Sequence, residues 1–275
     1  MYKRILTIQD ISCVGQCSMT VALPILSVCG IETCILPTAV LSTHTGGFSN
    51  FTVKELSDDL PKIIKHWKSE CFAFDAVYTG YLGNPKHVEY VEDICGHLLT
   101  ETGKLIVDPA MADNGKLYYG FDKTYVESMK GLCKNADILL PNLTEACLLA
   151  DVPYPEKVTE GFVKNLVLAL SKCYKAEIVL TGIGFNSYQT GIMVASNGTV
   201  RYYSHKKITK SFHGTGDIFS SVFVGAFLRA KPLMQAVRIA ADFTVNAIEG
   251  TLSDSSHWYG VKFEPELKHL SEELF

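Results

Sequence analysis

The run His213-Gly214-Thr215-Gly216-Asp217 carries the strongest chemical signal in the chain. Two glycines around a threonine at a helix start would direct backbone N–H groups and the positive end of the helix dipole at one point, which favours a phosphate. A carboxylate such as Asp217 would repel that phosphate, so its presence there indicates a chemical task. Removal of a proton from an attacking hydroxyl group is such a task. Helix capping alone, with glycines for a tight turn, also explains the motif. A buried helix is predicted because apolar residues follow at helical spacing: Phe219, Val222, Phe223, Ala226 and Phe227.

The composition is that of an ordinary globular protein, with 275 residues, 47% hydrophobic and 20% charged. The formal net charge of −4 gives no electrostatic reason to expect nucleic acid or an anionic membrane surface as a partner. The longest apolar stretch, residues 21–28, contains Pro24 and is too short to span a bilayer. We therefore expect small-molecule partners.

The start of the chain and its cysteines both favour a cytoplasmic protein. Residues 1–5 lead directly into strand-like sequence, so no signal peptide is predicted. Nine cysteines are scattered through apolar stretches without CxxC pairs, which is typical of reduced thiols and not of disulfides or zinc ligands.

Strand and helix patterns alternate along the whole chain. Strands are predicted over 4–8, 32–37, 76–79, 104–107, 137–140 and 177–181, with a hairpin over 188–195 and 199–204 around Asn197-Gly198. Helices are predicted over 18–29, 55–68, 85–99, 125–133, 144–150, 160–171, 215–229 and 233–249, and a polar loop over 42–47. Since no linker or repeat interrupts the pattern, we expect one α/β sandwich domain over residues 1–275, with a mostly parallel sheet and an antiparallel edge.

Polar residues follow five of the predicted strands. In a parallel sheet, ligands bind beyond the carboxyl ends of the strands, so these residues are candidates for one site. Because loops are exposed to water, a polar residue after any one strand needs no further explanation. Polar residues after all five strands are less easily explained in this way. They are Asp10, Tyr81, Asp108, Asn142 and Thr181.

Several common catalytic signatures are absent from the sequence. It has no G-x-x-x-x-G-K-[ST], G-x-S-x-G or H-E-x-x-H run. The nearest approach to a dinucleotide fingerprint is Gly182-Ile183-Gly184, which has Ser187 at the third glycine position and lies late in the chain. A P-loop enzyme and a dinucleotide oxidoreductase are therefore disfavoured.

Six blocks, in order, resemble the ribokinase-like superfamily and within it the pyridoxal/pyridoxamine (vitamin B6) kinases. The blocks span nearly the full length. They are 5–9, Thr43-His44-Thr45-Gly46, Thr79-Gly80-Tyr81-Leu82-Gly83, Asp108-Pro109-Ala110-Met111-Ala112-Asp113, Pro141-Asn142-Leu143-Thr144-Glu145 and Gly214-Thr215-Gly216-Asp217.

The resemblance implies a three-layer fold, a mainly parallel sheet with helices on both faces, and a reaction that moves the γ-phosphoryl group of ATP to the 5′-hydroxymethyl group of a B6 vitamer. It implies that Asp217 is the base and that Gly214, Thr215 and Gly216 form an anion hole. By the same resemblance, substrate contacts fall at Asp10, Thr45, Tyr81 and Asp217, ATP contacts at Asp108, Asn142, Thr181, Gly182 and the anion hole, and Mg²⁺ contacts at Asp113 and Glu145. A homodimer, a monovalent cation such as K⁺ and a role in cytoplasmic pyridoxal phosphate salvage are also implied.

Structural interpretations compete at some of these positions. Asp108 before Pro109 could initiate a turn, Asn142 or Thr144 with Glu145 could cap a helix, and Tyr81 could be a half-buried aromatic residue at a strand end. For His213 and His44 a packing role competes with a role in the site.

Asp10 departs from the family pattern, because many pyridoxal kinases have a serine there. A carboxylate can pair with an amine, so pyridoxamine, pyridoxine or hydroxymethylpyrimidine could be accepted as readily as pyridoxal. A hydroxymethylpyrimidine (phosphate) kinase of thiamine synthesis is therefore the alternative function. A non-catalytic ligand-binding member of the fold is disfavoured because Asp217 is present beside the glycines.

Overall fold

The computed structural model describes residues 2–275, and one nine-stranded sheet runs through it. The strands are β1 (Arg4–Val14), β2 (Glu32–Thr43), β3 (Val53–Glu55), β4 (Phe74–Thr79), β5 (Leu99–Val107), β6 (Ala112–Asp113), β7 (Lys116–Leu117), β8 (Ile138–Leu139), β9 (Glu177–Leu180), β10 (Gln189–Ser196) and β11 (Thr199–Lys206). Six parallel strands form the centre of the nine-stranded sheet, in the order β2-β1-β4-β5-β8-β9.

Helices cover both faces of the sheet, which confirms the three-layer α/β architecture. The helices are α1 (Met19–Val28), α2 (Leu60–Ser69), α3 (Pro85–Leu98), α4 (Lys123–Cys133), α5 (Leu143–Leu149), α6 (Glu160–Tyr174), α7 (Thr215–Leu228), α8 (Leu233–Thr251) and α9 (Leu267–Leu274), the last preceded by a 3₁₀ turn, Glu264–Glu266. One hydrophobic core lies under α2 to α6 and the other under α1, α7, α8 and α9. Across residues 2–275, none of the helices combines the length and the apolar character that crossing a membrane requires.

The predicted antiparallel edge is confirmed in the β10–β11 hairpin. The sequence pattern does not predict the second antiparallel edge, β3 beside β2, because it places residue 55 at the start of a helix over 55–68. That helix begins at Leu60, where Pro61 in its first turn supplies a backbone angle suited to a helix start.

Two strands are longer than predicted, and this places site residues differently. β1 continues to Val14, so Asp10 lies inside the strand, where the pairing with β2 shifts register, and not in a loop after it. β2 continues to Thr43, so only residues 44–47 of the predicted loop over 42–47 lie beyond a strand. The short hairpin β6–β7 and helix α9 were also missed.

Candidate active site

A cavity of about 380 Å³ opens at the carboxyl ends of the parallel strands. Strands β5, β8 and β9 end there, and the first turn of α7 faces them across the cavity. The lining brings together most of the predicted site residues: Asp108, Asp113, Asn142, Glu145, Thr181, Gly182, Gly214, Thr215, Gly216 and Asp217. Asp10, Thr45 and Tyr81 lie outside this lining.

The turn into α7 depends on glycine at position 214. Gly214 has φ +79°, and a Cβ atom there would lie 1.8 Å from the backbone oxygen of Gln16. At Gly216, by contrast, an added Cβ would meet nothing within 4 Å. Since the first N–H groups of a helix have no acceptor within the helix, this turn presents free donors at the cavity wall.

Asp217 lies in the first turn of α7 and is only partly accessible to water. Burial and the nearby Asp108 carboxylate raise the pKa of Asp217 to about 7, and the charge of Asp10 contributes to this rise. A hydrogen bond from the Ser18 backbone acts in the opposite direction and lowers the pKa. A carboxyl group that titrates near pH 7 can accept a proton efficiently at neutral pH. Ser18, which supplies that bond, has φ +53°, an uncommon angle for a residue with a side chain.

Asp108 and Glu145 form a second pair of carboxyl groups in the cavity. Asp108 accepts hydrogen bonds from Ser220 Oγ at 2.7 Å and from the Ala110 backbone at 3.2 Å. Burial raises the pKa of Asp108, and burial together with the Asp108 charge raises that of Glu145. Concentrated carboxylates of raised pKa form a region where a cation would be stabilised.

Glu145 also has the capping role that the sequence left open. One carboxylate oxygen accepts the Asn142 N–H at 2.9 Å, while the Asn142 side chain accepts the Glu145 N–H at 3.1 Å, forming a complete capping box on α5. The other oxygen accepts the Met111 N–H at 2.9 Å. Glu145 therefore holds the loop that follows β5 against α5, whatever else it does.

The oxygen atoms that face the cavity are of the type that Mg²⁺ prefers. Asp113 is exposed, and its carboxylate accepts bonds from Asn114 at 2.8 and 2.9 Å. Within residues 2–275, no group of three or more His, Cys, Asp or Glu side chains is arranged to hold a metal ion unaided. Phosphate oxygens and water would complete the coordination, which is the usual way in which Mg²⁺ is bound at nucleotide sites.

The residues predicted to contact the second substrate lie beside the cavity. Asp10 is 4% exposed and accepts a hydrogen bond from Ser12 Oγ at 3.1 Å, and burial raises its pKa. Tyr81 is half-buried and stacks on Phe121, with ring centroids 5.2 Å apart. Thr45 is exposed in the loop after β2, and it follows the buried His44. Contact between these side chains and a substrate stays a prediction.

Several residues of the site are not predicted by the sequence patterns. Ser220 is one turn along α7 from the motif, where a polar residue on an otherwise apolar helix was an available signal. Tyr118 lines the cavity after the unpredicted β6–β7 hairpin, and no pattern pointed to it. The far wall carries Ile192, His205 and Thr244 from β10, β11 and α8, which only the folded chain brings together.

Comparison with known proteins gives one family match. The family profile described as phosphomethylpyrimidine kinase matches residues 25–261. Among curated relatives, the hydroxymethylpyrimidine/phosphomethylpyrimidine kinase of Bacillus subtilis is 25% identical over 236 residues, which cover 84% of this chain and 82% of that protein.

Two solved structures are similar over nearly the whole chain. A Bacteroides thetaiotaomicron protein that carries the phosphomethylpyrimidine kinase description and was crystallised with pyridoxal has 34% identity and a TM-score of 0.92, covering 98% of this chain and 96% of that one. The pyridoxal kinase of Lactobacillus plantarum has 30% identity and a TM-score of 0.92, covering 99% and 98%. The predicted ribokinase-like fold is thereby confirmed.

Proposed function

The chain belongs to the phosphomethylpyrimidine kinase family, and we propose that it transfers the γ-phosphoryl group of ATP to the 5′-hydroxymethyl group of a vitamin B6 vitamer. The observation that carries this proposal is Asp217, a carboxyl group with a pKa of about 7 in the first turn of α7, beside Gly214 and Gly216. A base and an anion-binding turn at one point are what phosphoryl transfer to an alcohol requires.

Asp217 accepts the proton of the vitamer hydroxyl group as that oxygen attacks the γ-phosphorus. The bond from the γ-phosphorus to the bridging oxygen then breaks, and ADP leaves with that oxygen. Since the pKa of Asp217 is about 7, roughly half of the molecules hold it as a carboxylate at neutral pH. The α7 turn at 214–216 donates backbone N–H groups to the phosphoryl oxygens as their negative charge spreads.

ATP occupies the cavity, and the adenine ring of ATP lies toward the wall formed by Ile192, His205 and Thr244. Glu145 and Asp113 would hold Mg²⁺ from the protein side, directly or through water, with the Asp108 carboxylate close to Glu145. The chemistry that Mg²⁺ would supply there is a positive charge that offsets the negative charge of the triphosphate. The loop of Gly182 and the side chains of Asn142 and Thr181 border the phosphates.

Asp10, Thr45 and Tyr81 bind the vitamer ring on the side of Asp217 away from the nucleotide. Their support is their position on β1, after β2 and after β4, around the strand ends that flank the α7 turn. From the family resemblance we also propose a cytoplasmic homodimer that functions in pyridoxal phosphate salvage and responds to K⁺.

Hydroxymethylpyrimidine is the alternative substrate, favoured by the description of the family profile and by the Bacillus subtilis relative. Initial rates with ATP and each single acceptor decide between them. We expect the highest kcat/KM for pyridoxal, pyridoxine or pyridoxamine. A higher value for hydroxymethylpyrimidine would replace the proposed substrate, and transfer to no acceptor would leave a binding protein.

A further inference from the structure

A cluster of aromatic and imidazole rings lies at the rim of the site and is not needed for phosphoryl transfer. We name it the ring cluster; its members are His44, Phe48, His213, Trp258 and Tyr259. The Phe48 and Trp258 centroids are 4.7 Å apart, and those of His44 and His213 are 5.1 Å apart. His44 also meets Phe48 edge to face at 5.0 Å. Such separations are typical of favourable ring contacts.

The ring cluster joins three separate parts of the chain. Residues 44–48 follow β2, His213 precedes the anion-binding turn, and residues 257–259 lie between α8 and the 3₁₀ turn. The segment 257–259 is itself tied to the turn through Gln16, since His257 Nε2 lies 2.7 Å from Gln16 Oε1 and the Gln16 backbone oxygen packs against Gly214. A movement of the 257–259 segment would therefore displace both the loop after β2 and the anion-binding turn.

His44 fixes the loop at its first residue. The Gly46 N–H donates to His44 Nδ1 at 3.1 Å, so the ring proton belongs to Nε2, which donates to the Tyr259 carbonyl oxygen at 2.6 Å. Both ring nitrogens are thus engaged with backbone groups. His44 therefore links the loop after β2 to the 257–259 segment, and neither ring nitrogen is free for proton transfer.

The two glycines of the loop are pressed between rings. A Cβ atom at Gly46 would lie 2.4 Å from His213, and one at Gly47 would lie 3.1 Å from Trp258. His213 therefore supports the loop on one side and Trp258 on the other. Trp258 is 47% exposed, although an indole is among the most costly side chains to leave in water.

We propose, on the basis of the proposed function above, that Trp258 is a positioning residue that sets the affinity for the vitamer. Its indole holds Gly47 beside His213 and Phe48 against His44, and this keeps Thr45 at the mouth of the vitamer site. Trp258 itself does not line the nucleotide cavity, and the contact between His257 and Gln16 that ties its segment to the anion-binding turn does not involve the indole, so we expect the affinity for ATP to change much less than the affinity for the vitamer.

The test compares Trp258→Ala with Trp258→Phe, and uses Tyr188→Ala as the control for loss of an exposed aromatic side chain, since Tyr188 is 81% exposed and outside the site. We expect Trp258→Ala to raise the vitamer KM about 10-fold, with the ATP KM within 2-fold, because loss of an aromatic pair typically weakens an interaction by that order. Trp258→Phe should recover most of the loss. An unchanged vitamer KM in Trp258→Ala, or an equal rise in both KM values, overturns the proposal.

A measurement without turnover separates this proposal from the substrate assignment. The chain has two tryptophans, and Trp67 packs against Phe74 in the opposite core, so Trp67→Phe leaves Trp258 as the single reporter. Pyridoxine should change the fluorescence of Trp67→Phe but not that of Trp258→Phe, and chymotrypsin should cut after Phe48 faster in Trp258→Ala than in the wild type. No fluorescence change in Trp67→Phe, together with equal cleavage rates, contradicts the proposal. Cleavage that accelerates in a protein that phosphorylates no vitamer supports the packing role and refutes only the substrate.

Discussion

Replacing Asp217 with asparagine is the most informative single change, because it keeps the side-chain shape and removes the base. Asparagine cannot take the proton from the attacking hydroxyl group. The loss of a general base typically lowers turnover about 10²–10⁴-fold. Nucleotide binding should persist, since the glycines of the α7 turn and the remaining cavity wall are unchanged.

The pH dependence of the wild-type kcat/KM provides a second test of Asp217 as the general base. Burial and the Asp108 charge raise the pKa of Asp217 to about 7, so the fraction of carboxylate is about 0.1 at pH 6 and about 0.9 at pH 8. The value of kcat/KM should therefore fall about tenfold from pH 8 to pH 6. The residual activity of Asp217→Asn should lack this acidic limb.

The same raised pKa has a consequence for stability. A carboxyl group whose pKa rises on folding stabilises the protein below its unfolded pKa of 3.8, and this stabilisation is lost as the pH rises through about 7. The full rise would correspond to about 4 kcal/mol at about 1.4 kcal/mol for each pH unit. Because water reaches part of the carboxyl group, we expect Asp217→Asn to be about 1–2 kcal/mol more stable than the wild type at pH 8, and equal to it near pH 3.

Steady-state kinetics across pH and thermal unfolding of both proteins at pH 3 and pH 8 provide the assay. The nucleotide affinity of each protein, measured by calorimetry, is the control for an intact cavity. A folded Asp217→Asn protein with near wild-type turnover would remove Asp217 from the mechanism. A variant that is less stable than the wild type at pH 8 would show that the Asp217 charge is stabilised by its surroundings, contrary to the reasoning above.

Three further predictions concern the turn, the metal and the substrate. Gly214→Ala should destabilise the protein, because the new Cβ would lie 1.8 Å from the Gln16 backbone oxygen. Gly216→Ala should keep the wild-type melting temperature and weaken ATP binding, as measured by calorimetry. Equal melting temperatures for the two variants would contradict this prediction. EDTA should abolish transfer and Mg²⁺ restore it, and Glu145→Gln should both raise the Mg²⁺ concentration required and lower stability by about 1–3 kcal/mol, since the amide leaves a buried N–H without an acceptor. A Mg²⁺ requirement equal to that of the wild type would leave Glu145 with its capping role alone. Asp10→Ser should shift relative kcat/KM from pyridoxamine toward pyridoxal by about 10–150-fold, because a charge-assisted bond contributes roughly 1.5–3 kcal/mol, and the ATP KM should change little. An equal loss for all vitamers would make Asp10 structural.

Much of the fold followed from local patterns. Buried strands and amphipathic helices repeat along the chain, and the carboxyl ends of parallel strands must meet at one edge, so the grouping of Asp108, Asn142 and Thr181 could be expected before the structure was known. The helix after Gly216 was equally visible, since its apolar spacing is strong.

The remainder depends on contacts between distant parts of the chain. Strand β3 has three exposed residues and no alternation to mark it, and it exists because it pairs with β2. The position of Asp10 inside β1 reflects the length of β2, which offers partners as far as Thr43. The ring cluster at Trp258 joins residues more than 200 positions apart, a distance over which one sequence carries no spacing signal.

Phosphorus NMR of the product formed from ATP and pyridoxine tests the central claim most directly. We expect a phosphomonoester on the 5′-hydroxymethyl group, with its phosphorus coupled to two methylene protons, and no ester from a 5′-deoxy analogue of pyridoxine. Formation should fall with Asp217→Asn by the factor given above. An ester at another oxygen, or release of inorganic phosphate with no ester at all, would contradict the assignment of the cavity around Asp217 as a B6 vitamer kinase site.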